Sequence, residues 1–163
     1  MERLELVGKT MRRQWETEGI PVLTAEIELP APSDEQGGPG RIARYYRHFA
    51  RSYLRYCDRF LFPQASQACQ EALRTSAPLP RCTASLTHRV TLNEGGLLSL
   101  FTDAVECCGT RPLRVRRGDT WDLERFLPTP LSDFFPPRSP IRKHVTEFAA
   151  SYIERQLKEQ TAV

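Results

Sequence analysis

Residues 82–107 read C-T-A-S-L-T-H-R-V-T-L-N-E-G-G-L-L-S-L-F-T-D-A-V-E-C, and the fold follows from how that run divides. Over residues 82–92, Cys82, Ala84, Leu86, His88, Val90 and Leu92 alternate with Thr83, Ser85, Thr87, Arg89 and Thr91. A repeat of two puts the first, apolar set on one face of a β-strand and the hydroxyl-rich set on the other. Asn93-Glu94-Gly95-Gly96 supplies the chemistry of a tight hairpin turn, so residues 97–107 return as an antiparallel partner. His88 falls on the apolar face, where a satisfied core imidazole is the ordinary reading.

Downstream, residues 113–115 pass through Arg116-Arg117-Gly118-Asp119 and resume at Thr120-Trp121-Asp122-Leu123, which reads as a third antiparallel strand broken or bulged near Gly118. Pro128, Pro130, Pro136 and Pro137 frame a turn carrying Leu131, Phe134 and Phe135. Ser139-Pro140 then makes a helix start, a capping residue followed by proline at the first helical position. Ile141, Val145, Phe148 and Tyr152 form the apolar stripe of that final helix. Trp121, Phe134 and Phe135 could serve recognition, but aromatics so placed more often close a core.

Upstream, Leu23, Ala25, Ile27 and Leu29 alternate with Val22, Thr24, Glu26 and Glu28, the mark of a half-buried strand over residues 22–29. Residues 30–40 are rich in breakers and read as an exposed loop. From Arg41 the period lengthens, and Ile42, Tyr46, Phe49, Tyr53, Tyr56 and Phe60 share one helical face. The helix is expected to bend at Pro63 and to continue through Ala65, Ala68, Cys69, Ala72 and Leu73.

The expected fold class is therefore α+β. An N-terminal strand and a three-stranded meander make an antiparallel sheet, packed by a long first helix and a C-terminal helix. Residues 1–163 form one domain, with 1–20 as a lead-in and 21–160 as the α+β body. A chain of 163 residues is long enough for a sizeable core. No window approaches the 18 or so apolar residues of a membrane span, and Glu2, Arg3, Glu5 and Lys9 interrupt any leader-like apolar run. The reading of the chain as it stands is cytoplasmic. The five cysteines, odd in number and in no C-x-x-C arrangement, fit free thiols in a reducing compartment.

Catalytic signatures are absent. His48, His88 and His144 are the only histidines, and no G-x-S-x-G elbow or H-E-x-x-H pair occurs. The cysteine spacing does not suit zinc, and Gly37-Gly38-Pro39-Gly40 lacks the lysine of a phosphate-binding loop. No catalytic residue, metal ligand or cofactor is assigned. Asp103, Glu106, Asp119 and Asp122 could build an acidic cleft, although nothing in their spacing requires one.

The cations are the sharper signal. Of 23 basic residues only Lys9, Lys143 and Lys158 are lysines, and Arg suits bidentate contacts to phosphate or carboxylate. On the first helix Arg41, Arg44, Arg47, His48, Arg51, Arg55 and Arg59 gather opposite the apolar stripe, with Asp58 nearly the only acid among them. A second group, Arg111, Arg114, Arg116 and Arg117, lies on the third meander strand. The candidate binding residues are Arg44, Arg47, Arg51, Arg55, Arg114 and Arg116. Such faces track phosphates or dock acidic partners, and also occur as plain solvated surface. Two coincident basic patches would favour a nucleic-acid partner and two separated ones would disfavour it. Arg117-Gly118-Asp119 is ordinary turn chemistry and receives no role.

Residues 97–157 resemble the C-terminal domain of RsiV-type anti-sigma factors, a domain of largely unknown function that also occurs in some bacterial peptidoglycan deacetylases. The resemblance is carried by a strand ending in Cys108-Gly109, by Asp119-Thr120-Trp121-Asp122-Leu123, by Pro130-Leu131-Ser132-Asp133-Phe134-Phe135 and by the closing helix. Where family members often show Gly-Ala-His this chain has Gly109-Thr110-Arg111, so no role of that histidine carries over. The resemblance implies an α+β binding fold from a Gram-positive bacterium (Firmicutes). It further implies a protein or cell-wall ligand, since in RsiV the domain binds lysozyme, and relatives that are often extracytoplasmic. A non-enzymatic binding or sensing module is thus the first functional expectation. A nucleic-acid-associated protein using the arginine-rich helix face is the alternative.

Overall fold

A computed structural model describes residues 3–109 and 111–161, and they fall into two compact units, residues 1–128 and 129–163. The first is built on a six-stranded sheet in the order β1-β2-β3-β4-β5-β6. Its centre is the hairpin just described, β3 (Cys82–Glu94) and β4 (Leu97–Cys107), with Gly95 and Gly96 at φ 60° and 78° in the turn. Both values lie in the left-handed region that glycine enters without cost. β5 (Leu113–Asp122) pairs antiparallel with β4, and β6 is the two-residue strand Leu127–Pro128.

Three expectations change here. β5 runs without a register shift, Gly118 facing Phe101, so the break foreseen at Gly118 does not occur. The irregularity lies between Val90 and Leu92 of β3, and beyond it the apolar face opens: Val90 is 36% exposed. His88 is correspondingly half-exposed, its Nδ1 3.3 Å from the Glu28 carbonyl oxygen, and is not a core residue.

The supposed lead-in contains β1 (Leu6–Thr17), a full strand antiparallel to β2 (Ile20–Pro32) through the left-handed turn Glu18-Gly19. β2 extends three residues past the expected end, and Pro30, Ala31 and Pro32 are buried rather than part of an exposed loop. Proline lacks a ladder donor, and it is tolerated at 30 and 32 because pairing with β3 ends at Ile27. That pairing, Leu23–Ile27 against Cys82–Leu86, is parallel, so the sheet is mostly rather than wholly antiparallel. A parallel neighbour needs a crossover, which the helix supplies.

The helix starts at Pro39 in the first-turn position it favours. Glycine is required at Gly38 by close approach, since a Cβ there would meet the Phe126 ring at 2.0 Å. α1 (Pro39–Tyr56) and α2 (Phe62–Thr75) are joined without interruption by a π-turn, Cys57–Leu61, in which the Phe62 N–H donates to the Cys57 carbonyl five residues back. Pro63 follows directly, so the expected bend is resolved as one wider turn. The buried face runs through Ile42, Tyr46, Ala50, Tyr53, Cys57, Leu61, Ala65, Cys69 and Ala72, whereas Phe60 is 56% exposed. These residues cover Leu23, Ala25, Ile27, Ala84, Leu86, Leu98, Leu100 and Trp121 of the sheet. Burying each Leu or Ile contributes about 1.5–3 kcal/mol.

A polar knot pins α1 to β5 inside this layer. Trp121 Nε1 donates to the Tyr46 hydroxyl at 3.1 Å, and both the Tyr45 and Tyr46 hydroxyls donate to Asp119 at 3.3 Å. Arg117 pairs with Asp119 at 3.1 Å and also donates to Tyr45.

The second unit comprises a 3-10 turn, Leu131–Phe134, and α3 (Ile141–Thr161), which begins after Ser139-Pro140 as read from the sequence. Phe134 is 50% exposed and closes no core, while Phe135 stacks on His144 at 6.4 Å. The stripe Val145, Phe148 and Tyr152 is also exposed, with the last two rings stacked on each other.

Candidate functional site

Strand alternation gives the sheet two unlike faces. Trp15, Leu23, Leu86, Thr102 and Trp121 point to the helix, and Arg12, Gln14, Thr24, Glu26, Thr83, Ser85, Phe101, Asp103, Arg114 and Arg116 to the other, helix-free face. At the β1–β2–β3 end of that open face lies a groove of about 800 Å³. Val22, Leu79 and Pro80 provide apolar lining, and Arg12, Gln14, Thr24, Glu26, Arg81, Thr83 and Ser85 line it with hydrogen-bonding groups. Glu26, the single carboxylate of the lining, faces the Arg12 guanidinium at 3.5 Å.

Two strands further across, Arg116 makes two 2.8 Å bonds to the Asp103 carboxylate while its guanidinium lies over the Phe101 ring at 3.8 Å. The Arg116 hydrogen bond holds the Asp103 carboxyl below the usual carboxylate range. The Ser99 and Thr120 hydroxyls are 3.0 Å apart on the same face. The arrangement offers donors, acceptors and one aromatic–guanidinium plane on a rigid sheet, which suits recognition of an extended polar ligand.

The helical arginines lie elsewhere. Arg47 is paired with Glu35, which Lys9 also holds, and the Lys9 contact is the first cause of a lowered Glu35 carboxyl. Arg51, Arg55 and His48 line a shallow cleft of about 430 Å³ with Arg13 of β1 and Asp58 of the π-turn. Asp58 accepts from Trp15 Nε1 at 2.6 Å and from Arg13 at 3.2 Å. Arg44 is exposed on the same helix side. The six candidate residues are therefore not one patch: Arg114 and Arg116 occupy the open sheet face, and Arg44, Arg47, Arg51 and Arg55 the helix that covers the other. Arg13, Arg12 and Arg81, which the sequence reading left out, join these two surfaces from strands.

The acidic side chains do not converge. Asp103 faces the open side, Asp119 sits in the knot beside Tyr46, and Glu106 accepts from the Tyr56 hydroxyl at 3.0 Å. Asp122 caps a turn, and the N–H groups of Arg125 and Glu124 lower its carboxyl. Among the described residues no group of three or more His, Cys, Asp or Glu side chains is placed to hold a metal ion. No helix among them is long and apolar enough to cross a membrane.

What the geometry defines is a class: an α+β sheet protein with one helix-covered face and one polar, grooved face. Solved structures of the DUF3298 family share this fold. One, from Bacteroides fragilis, superposes with a TM-score of 0.67 at 14% identity, covering 95% of this chain and 69% of the other. Another, from Pseudomonas aeruginosa, gives a TM-score of 0.55 at 16% identity over 98% of this chain and 73% of the other. No protein-family model matches the sequence, and no curated protein matches it.

Proposed function

We propose that the chain is a non-enzymatic binding or sensing module whose ligand, a protein or a cell-wall component, lies along the open face of the sheet. The groove over β1, β2 and β3 carries this reading. It combines apolar lining with arginine, amide and hydroxyl groups from three strands, and its one carboxylate is opposed by an arginine. General acid–base chemistry needs two titratable groups in reach of one bond, and this surface supplies none so arranged. The RsiV-like pattern of residues 97–157 agrees, since there the implied ligand is a protein.

Co-sedimentation of the intact chain with insoluble peptidoglycan, run beside titration with a lysozyme, tests the proposal. Retention of either, weakened at least tenfold by Arg12→Ala together with Arg81→Ala, is the expected result. Retention of neither ends the proposal.

The arginine cleft on the helix side favours a second reading, a nucleic-acid partner. Arg13, Arg51 and Arg55 gather there around a single acid that is already engaged by Trp15 and Arg13. The separation of Arg114 and Arg116 from this cleft limits the number of phosphates one strand could neutralise. Binding to a single-stranded oligonucleotide should then weaken with salt at a slope of about two to four counterions. A flat salt response removes this reading.

A further inference from the structure

β3 begins and β4 ends at a cluster of thiols that neither binding surface uses. The last ladder pair between the two strands is Thr83↔Cys107. One step beyond it, Cys82 and Cys108 stand opposite each other. Directly opposed residues of an antiparallel pair point to the same face, with Cα atoms about 4.5 or 5.5 Å apart in the two kinds of site. Both spacings lie inside the range a disulfide spans.

Side-chain contacts agree with that placement. The Cys108 thiol is in hydrogen-bonding contact with Cys82 and close enough to Glu106, Tyr53 and Tyr56 to feel their charge. These belong to the helix-covered side, where Cys82 is only 4% exposed. Cys107 points the other way, its Sγ–H donating to the Gly109 carbonyl at 3.5 Å. Cys108 is exposed as a residue and so within reach of a reagent in solution, while Cys82 lies behind it.

We infer that Cys82 and Cys108 are a cross-strand oxidation site, closed to a disulfide by low-molecular-weight disulfides of the glutathione type. In the first step the Cys108 thiolate attacks one sulfur of the reagent, forming a mixed disulfide and releasing one thiolate. The Cys82 thiolate then attacks the Cys108 sulfur, forming the protein disulfide and releasing the second. The reagent is reduced to two thiols, taking up the two protons that the cysteines lose. Burial first, and the Cys82 contact second, push the Cys108 thiol up to about 12. Because the thiolate is the attacking species, closure is slow at neutral pH and accelerates about tenfold per pH unit above it.

The test uses the whole chain incubated with oxidised glutathione at pH 7 and pH 9, then alkylated, digested with trypsin and mapped without reduction. Cleavage after Arg81 and Arg89 places Cys82 and Cys108 in different peptides, and Cys57 in a third released by cleavage after Arg55 and Arg59. The expected product joins the peptide beginning at Cys82 to the one beginning at Val90. It should form in wild type and in Cys107→Ser, be lost in Cys108→Ser, and raise the melting temperature by about 5 °C. A link from Cys57, a link that survives Cys108→Ser, or no link in protein whose circular dichroism is native would each overturn the assignment.

Discussion

The helix-covered and open faces of one sheet are built from the same strands, residue by residue in alternation, yet they are organised by different physics. On the covered face Leu86, Leu98 and Ile27 are at most 1% exposed, and its polar groups, from Tyr46 to Asp119, are satisfied within the knot. Across the sheet, arginines, hydroxyls and Phe101 make contacts that solvent can replace. Stability therefore belongs to one side and ligand choice to the other, and substitutions should separate the two.

Trp121→Ala should have the largest effect, since it removes a side chain 3% exposed together with the donor to Tyr46. A loss of about 3–5 kcal/mol in urea unfolding is expected. Tyr46→Phe keeps the ring but leaves the Trp121 N–H without its acceptor, and about 1–3 kcal/mol should be lost.

The covered face should also set the alkaline limit. Burial raises the phenols of Tyr46 and Tyr53 well above their ordinary value near 10. Below that value both states hold these protons. Above it the unfolded chain gives them up first, so it binds fewer protons and stability falls with pH. The melting temperature, followed by circular dichroism, should drop by a few degrees per pH unit between about pH 10 and 12, and less so in Tyr46→Phe.

The open face should respond in the opposite sense. Arg12→Ala should leave stability within about 0.5 kcal/mol while weakening ligand retention. If it destabilised as much as Tyr46→Phe, the division between the faces would fail. Smallest of all is the acid limb. The Asp103 and Glu35 carboxyls are lowered by Arg116 and Lys9, so their contribution is present above about pH 4 and is lost as pH falls through the folded values. Both pairs are solvent-exposed, and 0.5 M salt should erase most of that dependence.

The covered face was legible because burial writes a period into sequence. Leu23 to Leu29, Cys82 to Leu86 and Ile42 to Tyr53 announce their elements. β1 was not legible, because only Trp15 of its residues is buried and Lys9 and Arg13 occupy the inward register between Val7, Met11 and Trp15. The one signal that could have found it is Glu18-Gly19, a two-residue hairpin turn. Parallel pairing of β2 with β3 leaves no local trace either, as it joins residues separated by the whole helix.

The same division governs the site. Arg114 and Arg116 were correctly read as sharing one side of a strand. The groove was invisible, for it unites residues 12–14 with residues 79–85, which no periodicity connects. Arg47 and Arg51 look alike in sequence, and only the arrival of Glu35 from the preceding loop distinguishes them.

The wide turn at Cys57–Leu61 amounts to one surplus residue threaded into an otherwise regular rod. Shortening that stretch by a single amino acid would leave a well-formed rod but swing everything after it by about 100°. Ala65, Cys69 and Ala72 would leave their seats on the strands, and Asp58 would let go of Trp15 and Arg13. In this molecule, length at that spot acts as phase: it sets which way the rest of the rod faces.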